Sequence, residues 1–161
     1  MNFEERIVEL ERRLAILEAK DSAPSEPYTK HSNKQDTTSD LISLVVTNKR
    51  FDPTNANLCV YEDHIWFDCS YTLQPESKPT RAVKGEIIFS DLFGEIKFKI
   101  QLTLNEPLTP GQILKQPGIG FTYNQFIGEH QWMLATRLED MRFSFKATNV
   151  IYTDGAAETF I

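Results

Sequence analysis

At Leu41 the spacing of apolar residues changes, and this change restricts the folds open to the chain more than any other feature. From that point apolar and polar positions alternate. The inward phase reads Ile42, Leu44, Val46; then Ile65, Phe67, Cys69, Tyr71; then Val83, Gly85, Ile87, Phe89. It continues with Ile96, Phe98, Ile100, Leu102, Leu104; then Ile119, Phe121, Tyr123; then Met141, Phe143, Phe145, Ala147. A period of two puts one side of a strand in a core and the other in water, as antiparallel sheets require. Turn-forming residues separate the runs: Asp52-Pro53, Pro75 to Pro79, Asp91 to Gly94, Pro107 to Gly111, Pro117-Gly118 and Asp154-Gly155. Six to eight short strands in roughly 115 residues predict a mostly-β fold, an antiparallel β-sandwich over 41–161.

Before Leu41 the pattern is different. Phe3, Ile7, Leu10, Leu14 and Leu17 follow a heptad, with Ile7 and Leu14 at a and the other three at d. Glu4, Glu11 and Glu18 fall at e, and Arg6, Arg13 and Lys20 at g. In a parallel bundle each g cation faces a neighbour's e carboxylate, which favours pairing of like helices. So short a helix is marginal alone, and its apolar seam needs a partner. Residues 1–20 are therefore expected to form a coiled-coil oligomerisation helix. Phe3, Arg6, Ile7, Leu10, Glu11, Arg13, Leu14, Leu17 and Glu18 would carry the contact. The doubled Arg-apolar-x-x-apolar-Glu pattern, at Arg6 to Glu11 and Arg13 to Glu18, resembles the short trimerisation motif of many coiled coils. A homotrimer is expected, with a dimer as the alternative that Ile at a and Leu at d would favour. Residues 21–40 have no apolar period and are rich in Ser, Thr, Pro, Asp and Lys, the composition of a flexible linker.

Three segments of the sandwich region carry a resemblance. They are Val83-Lys84-Gly85-Glu86-Ile87-Ile88-Phe89-Ser90-Asp91-Leu92-Phe93-Gly94, Asn105-Glu106-Pro107-Leu108-Thr109-Pro110-Gly111 and Leu138-Glu139-Asp140-Met141-Arg142-Phe143-Ser144-Phe145. Over about residues 40–155 this resembles the small immunoglobulin-like domains of the bacterial FxLYD-type group. The resemblance implies an Ig-like sandwich and carries no activity. Members of that group usually follow a secretion signal or lipid anchor, whereas here a heptad helix occupies that place.

The net charge of −6 is shared evenly between residues 1–40 and 41–161, with no basic patch. That argues against nucleic acid or an anionic membrane as partner. No apolar run reaches the about 20 residues of a membrane span, and the charged N-terminus is not a secretory signal. A soluble cytoplasmic protein is expected, and a virion assembled there also fits. Cys59 and Cys69 are too few for a disulfide scaffold and read as two small buried thiols in a reducing compartment, though a hairpin near His64 would let them pair.

Catalytic signals are sparse. Glu62, Asp63, His64 and Asp68 gather around one strand start, where a carboxylate beside a His could do acid–base work in a cleft. A solvated hairpin tip, where Asp is favoured for turn chemistry, is the expected explanation. His31 and His130 lack metal-ligand spacing, and Gly118-Ile119-Gly120 lacks the third glycine of a phosphate loop. No cofactor, metal or catalytic residue is expected. Two stretches look suited to partner binding. Residues 124–134 break the strand period while carrying Phe126, Ile127, Trp132 and Met133, which suggests either a binding loop or a cap on the sandwich. Trp66 lies on the strand phase opposite Phe67 and Cys69. Phe126, Trp132 and Trp66 are the candidate contacts. The expected function is a non-enzymatic, homo-oligomeric interaction module, whose stalk presents several Ig-like domains to a protein or glycan partner. A structural or accessory component of a phage particle or similar symmetric assembly is the alternative.

Overall fold

The structure, a computed structural model, describes residues 41–161. The helix expected over 1–20, with its contact set from Phe3 to Glu18, and the linker expected over 21–40 lie outside the described residues. The described part is mostly β. Its strands are β1 (Ile42–Asp52), β2 (His64–Leu73), β3 (Thr80–Ser90), β4 (Ile96–Leu104), β5 (Ile113–Thr122), β6 (Arg142–Tyr152) and β7 (Ala157–Thr159). One α-helix, α1 (Gly128–Ala135), follows β5, and short 3-10 turns occupy Ala56–Leu58 and Leu138–Asp140.

All strand pairings are antiparallel. A three-stranded sheet has the order β1-β2-β5, and a four-stranded sheet the order β4-β3-β6-β7. The alternation in the sequence dictates which faces meet. Ile65, Phe67, Cys69, Tyr71 and Leu73 of β2 are buried, as are Val83, Ile87 and Phe89 of β3. Aromatic rings bridge the two sheets. Phe67 lies 4.9 Å from Phe89, and Tyr71 meets Phe145 edge-on at 5.6 Å. Within the second sheet Phe89 also touches its register partners Phe98 and Phe143. Such pairs add about 0.5–1.5 kcal/mol each beyond the area they bury.

β4 departs from the expected pattern. Leu104 is fully buried, Phe98, Ile100 and Leu102 are half-buried, and Ile96 is exposed. β4 is the edge of its sheet, so its inward row is only partly covered. Its other row carries Lys97 and Lys99, the charged residues that keep a free edge from pairing with another chain.

The segments that carry the family resemblance have local structural work. Asp91 accepts the backbone N–H groups of Phe93 and Glu95, both at 2.9 Å, and Gly94 supplies the left-handed φ of +87° that closes this turn. At the other end of the sandwich Leu108 exchanges two 2.9 Å backbone bonds with Thr80 and plugs the core, fully buried. Cys69 is buried in mid-strand, but Cys59 is exposed in the β1–β2 connection. The expectation of two buried thiols therefore fails for Cys59. β2 begins at His64, so no hairpin centred there faces the two cysteines toward each other.

Candidate functional site

Antiparallel strands send alternate connections to opposite ends. One end holds the connections 53–63, 91–95 and 123–141; the other holds 74–79, 105–112 and 153–156. The two ends differ in chemistry. Each connection at the first end exposes large apolar side chains: Leu58 (72 %) and Tyr61 (73 %), Leu92 and Phe93 (96 %), Phe126 (86 %) and Ile127. At the second end the connections expose none, since their one large apolar residue, Leu108, is buried.

Local bonding explains why these tips stand out. Asn124 accepts the N–H of Phe126 on its side chain and that of Ile127 on its carbonyl, so the chain turns sharply and Phe126 points away. The Asn124 N–H is held by His130 Nδ1 at 3.0 Å. His130 itself is packed against Phe98, Phe121 and Tyr123. In the connection 53–63, Asp63 takes both the N–H and the hydroxyl of Thr54 at 2.6 Å. The Thr54 hydroxyl and N–H hold the Asp63 carboxyl below the usual carboxylate range. Asp91 behaves likewise: desolvation pushes its carboxyl up, but the bonds from Glu95 and Phe93 and the Lys97 charge outweigh it and leave it lowered.

Two of the three connections meet at the surface. Tyr61, Glu62 and Asp63 share an open depression of about 380 Å³ with Thr122, Tyr123, Asn124, Gln125 and Phe126. Glu129, at the start of α1, lines a second depression with Ile96, Lys97, Phe98 and Lys99 of β4, the strand that follows the Phe93 turn.

The three candidate aromatics have different surroundings. Phe126 is at the tip. Trp132 is half-buried on α1 and packs against the core beside fully buried Met133. Lys49 of β1 donates to the carbonyls of Leu134 and Thr136 and fixes the end of that helix. The 124–134 segment is thus a cap from Trp132 onward and an exposed tip at Phe126 and Ile127. Trp66 is half-buried on the outer face of β2, in register with Arg50 and Gly120, and its ring is parallel to His64 at 5.1 Å. A Cβ on Gly120 would lie 2.6 Å from Trp66 Cε3, so the missing side chain is what lets the indole lie over β5.

The polar set near β2 is occupied with structure. Asp68 stands between a bulge in β1 and one in β5. Its carboxylate accepts from Asn48 (3.1 Å) and from the Gly118 N–H (3.1 Å), and its carbonyl accepts from Thr47. The Asn48 and Gly118 bonds, with the nearby Arg50, hold the Asp68 carboxyl low. Held as anions, Asp63 and Asp68 are poor proton donors near neutral pH. His64 bonds the Glu62 carbonyl, and Thr122 donates to Glu62. Among the described residues no group of three or more His, Cys, Asp or Glu side chains could hold a metal ion. No helix there is long and apolar enough to cross a membrane.

Tyr61 and Phe93 were not among the sequence candidates. Both sit in turns, where a single aromatic gives no periodic signal. No protein-family model, curated protein or solved structure matches the chain.

Proposed function

We propose that the chain is a non-enzymatic interaction module, in which a coiled-coil stalk presents several Ig-like domains and each domain binds through its apolar loop end. The observation that carries this reading is the contrast between the two ends, with exposed aromatic tips on all three connections at one and none at the other. Large apolar side chains exposed together at one end of a folded domain favour a contact site there. Strand order supports the Ig-like part. β1, β2 and β5 share one sheet and β3, β6 and β7 the other, as in an immunoglobulin sandwich. The fourth strand departs from the constant-domain arrangement by pairing with β3 rather than β5. Several weak sites on one stalk gain about 10²–10⁴ in avidity without any new contact.

The full-length protein should be screened against displayed peptides and a glycan array. Binders recovered in this way should lose at least about tenfold in affinity on the double variant Phe93→Ser, Phe126→Ser. They should be unaffected by Lys78→Ser, Glu106→Ser at the opposite end. Equal losses at the two ends, or none at either, would remove the site. Sedimentation equilibrium tests the stalk: a mass of one 18.5 kDa chain would remove multivalency.

A further inference from the structure

We infer that the loop end takes a polypeptide segment in which an apolar anchor is flanked by Lys or Arg. This rests on the binding-end reading above and adds the chemistry of the partner. The connections 53–63, 91–95 and 123–141 contain seven carboxylates, Glu62, Asp63, Asp91, Glu95, Glu129, Glu139 and Asp140, and a single cation, Arg137, which is paired with Glu139 and Asp140. Lys97, one strand position away, is bonded to Glu95 at 2.8 Å and Asp91 at 3.5 Å, so that group is neutralised within the domain. Thr54 occupies Asp63.

Glu62, which accepts a single long bond from Thr122, and Glu129 remain for a partner. Glu62 lines the same depression as Phe126 and Tyr61. Glu129 follows Phe126 by three residues and lines a depression with Ile96, Phe98, Lys97 and Lys99, whose two ammonium groups are paired with Glu95 and Glu86. An exposed phenyl ring thus has one acidic group in its own depression and a second three residues along the chain. A partner that buries Phe126 brings its own flanks against Glu62 and Glu129, and only cationic or neutral flanks avoid like-charge repulsion there. The same carboxylates disfavour a lipid bilayer. Anionic headgroups repel them, and inserting Phe93 and Phe126 into any bilayer would drag charged groups toward the hydrocarbon boundary. A second copy of the same end is disfavoured for the same reason, since acid would face acid.

The test is selection of random displayed peptides on the full-length protein, with parallel sedimentation against phosphatidylcholine and phosphatidylcholine/phosphatidylserine vesicles. The expected peptides combine an apolar anchor with Lys or Arg, weaken as salt rises, and bind at least about tenfold less well to Phe93→Ser, Phe126→Ser. Glu62→Gln, Glu129→Gln should weaken them by about 3- to 10-fold while leaving the melting temperature unchanged. Peptides that need Phe93 and Phe126 but carry no cationic residues would overturn this inference and leave the binding end standing. Vesicle binding that depends on the same two residues would overturn it in favour of a membrane. Peptides indifferent to Phe93 and Phe126 would overturn the binding end itself.

Discussion

Replacing Tyr71 with Phe should stabilise the domain, although it deletes a polar group from the centre of β2. Tyr71 is fully buried, and its hydroxyl has no oxygen or nitrogen partner among the described residues. The Cys69 thiol two positions along the same face is only a weak partner. An unpaired buried hydroxyl costs about 1–3 kcal/mol. Tyr71→Phe removes that cost and keeps the ring and its edge-on contact with Phe145. The small void left behind, at about 24 cal/mol per Å³, gives back a few tenths of a kcal/mol. The net gain should be about 1 kcal/mol, or a rise in Tm of about 4 °C for a domain of this size. A second signature appears in alkali. Burial pushes the Tyr71 pKa well above its ordinary value of 10.0. A raised folded pKa contributes stability that is complete below the unfolded pKa and is lost as pH climbs above it. The native protein should therefore lose up to about 1.4 kcal/mol per pH unit above pH 10 through this group. Tyr71→Phe should lack that component. It should keep the loss due to Cys69, whose thiol burial pushes up from 9.0 to about 11. Urea unfolding of both proteins at pH 7 and at pH 10.5 to 11 measures each part. A variant less stable than the native protein at pH 7, or alkaline slopes that coincide, would refute the reasoning.

Gly120→Ala should destabilise by about 1–3 kcal/mol, because the new Cβ would lie 2.1 Å from the Ile65 carbonyl oxygen and 2.6 Å from Trp66. Urea unfolding gives the size, and a red shift in tryptophan fluorescence reports the indole leaving its strand. Lys49→Met should cost about 1–2 kcal/mol by stripping the helix-terminal carbonyls of Leu134 and Thr136. It should speed amide exchange in α1 before β2. The lowered carboxyl pKa values of Asp63 and Asp91 contribute stability above their unfolded values and lose it as pH falls through the folded ones. Acidification below about pH 4 should therefore raise amide exchange at Thr54, Phe93 and Glu95, the three donors, ahead of the core strands.

The inner rows of β2 and of most of β3 and β6 were legible because a sheet with one buried face alternates strictly, and only the register shifts at Arg81 and Thr148 interrupt it. β5 was legible only from Ile119. Its earlier half is broken by the bulge at Pro117-Gly118, and a bulge shifts the side-chain phase that alternation depends on. β7 has three residues, all exposed, too few to show a period. Phe126 could be singled out because its loop breaks the pattern around it. Phe93 could not, because an Asp-x-x-Gly turn reads as punctuation whether its aromatic points in or out. The pairing of Trp66 with Gly120, and the position of Asp68 between two bulges, rest on cross-strand register, which no local window of sequence contains.

Under the oligomeric reading proposed above, the lysines on β4 acquire a second meaning. Tethering copies together raises their mutual concentration to about the millimolar range. In that regime a bare sheet border would recruit the border of its sibling. Here the margin displays Lys97 and Lys99 on alternate positions, each anchored to a carboxylate of its own domain. Two such margins offer each other no vacant counter-ion. In such a cluster the β4 margins would not pair with one another, and the apolar surface proposed to bind would stay confined to the loops at one end.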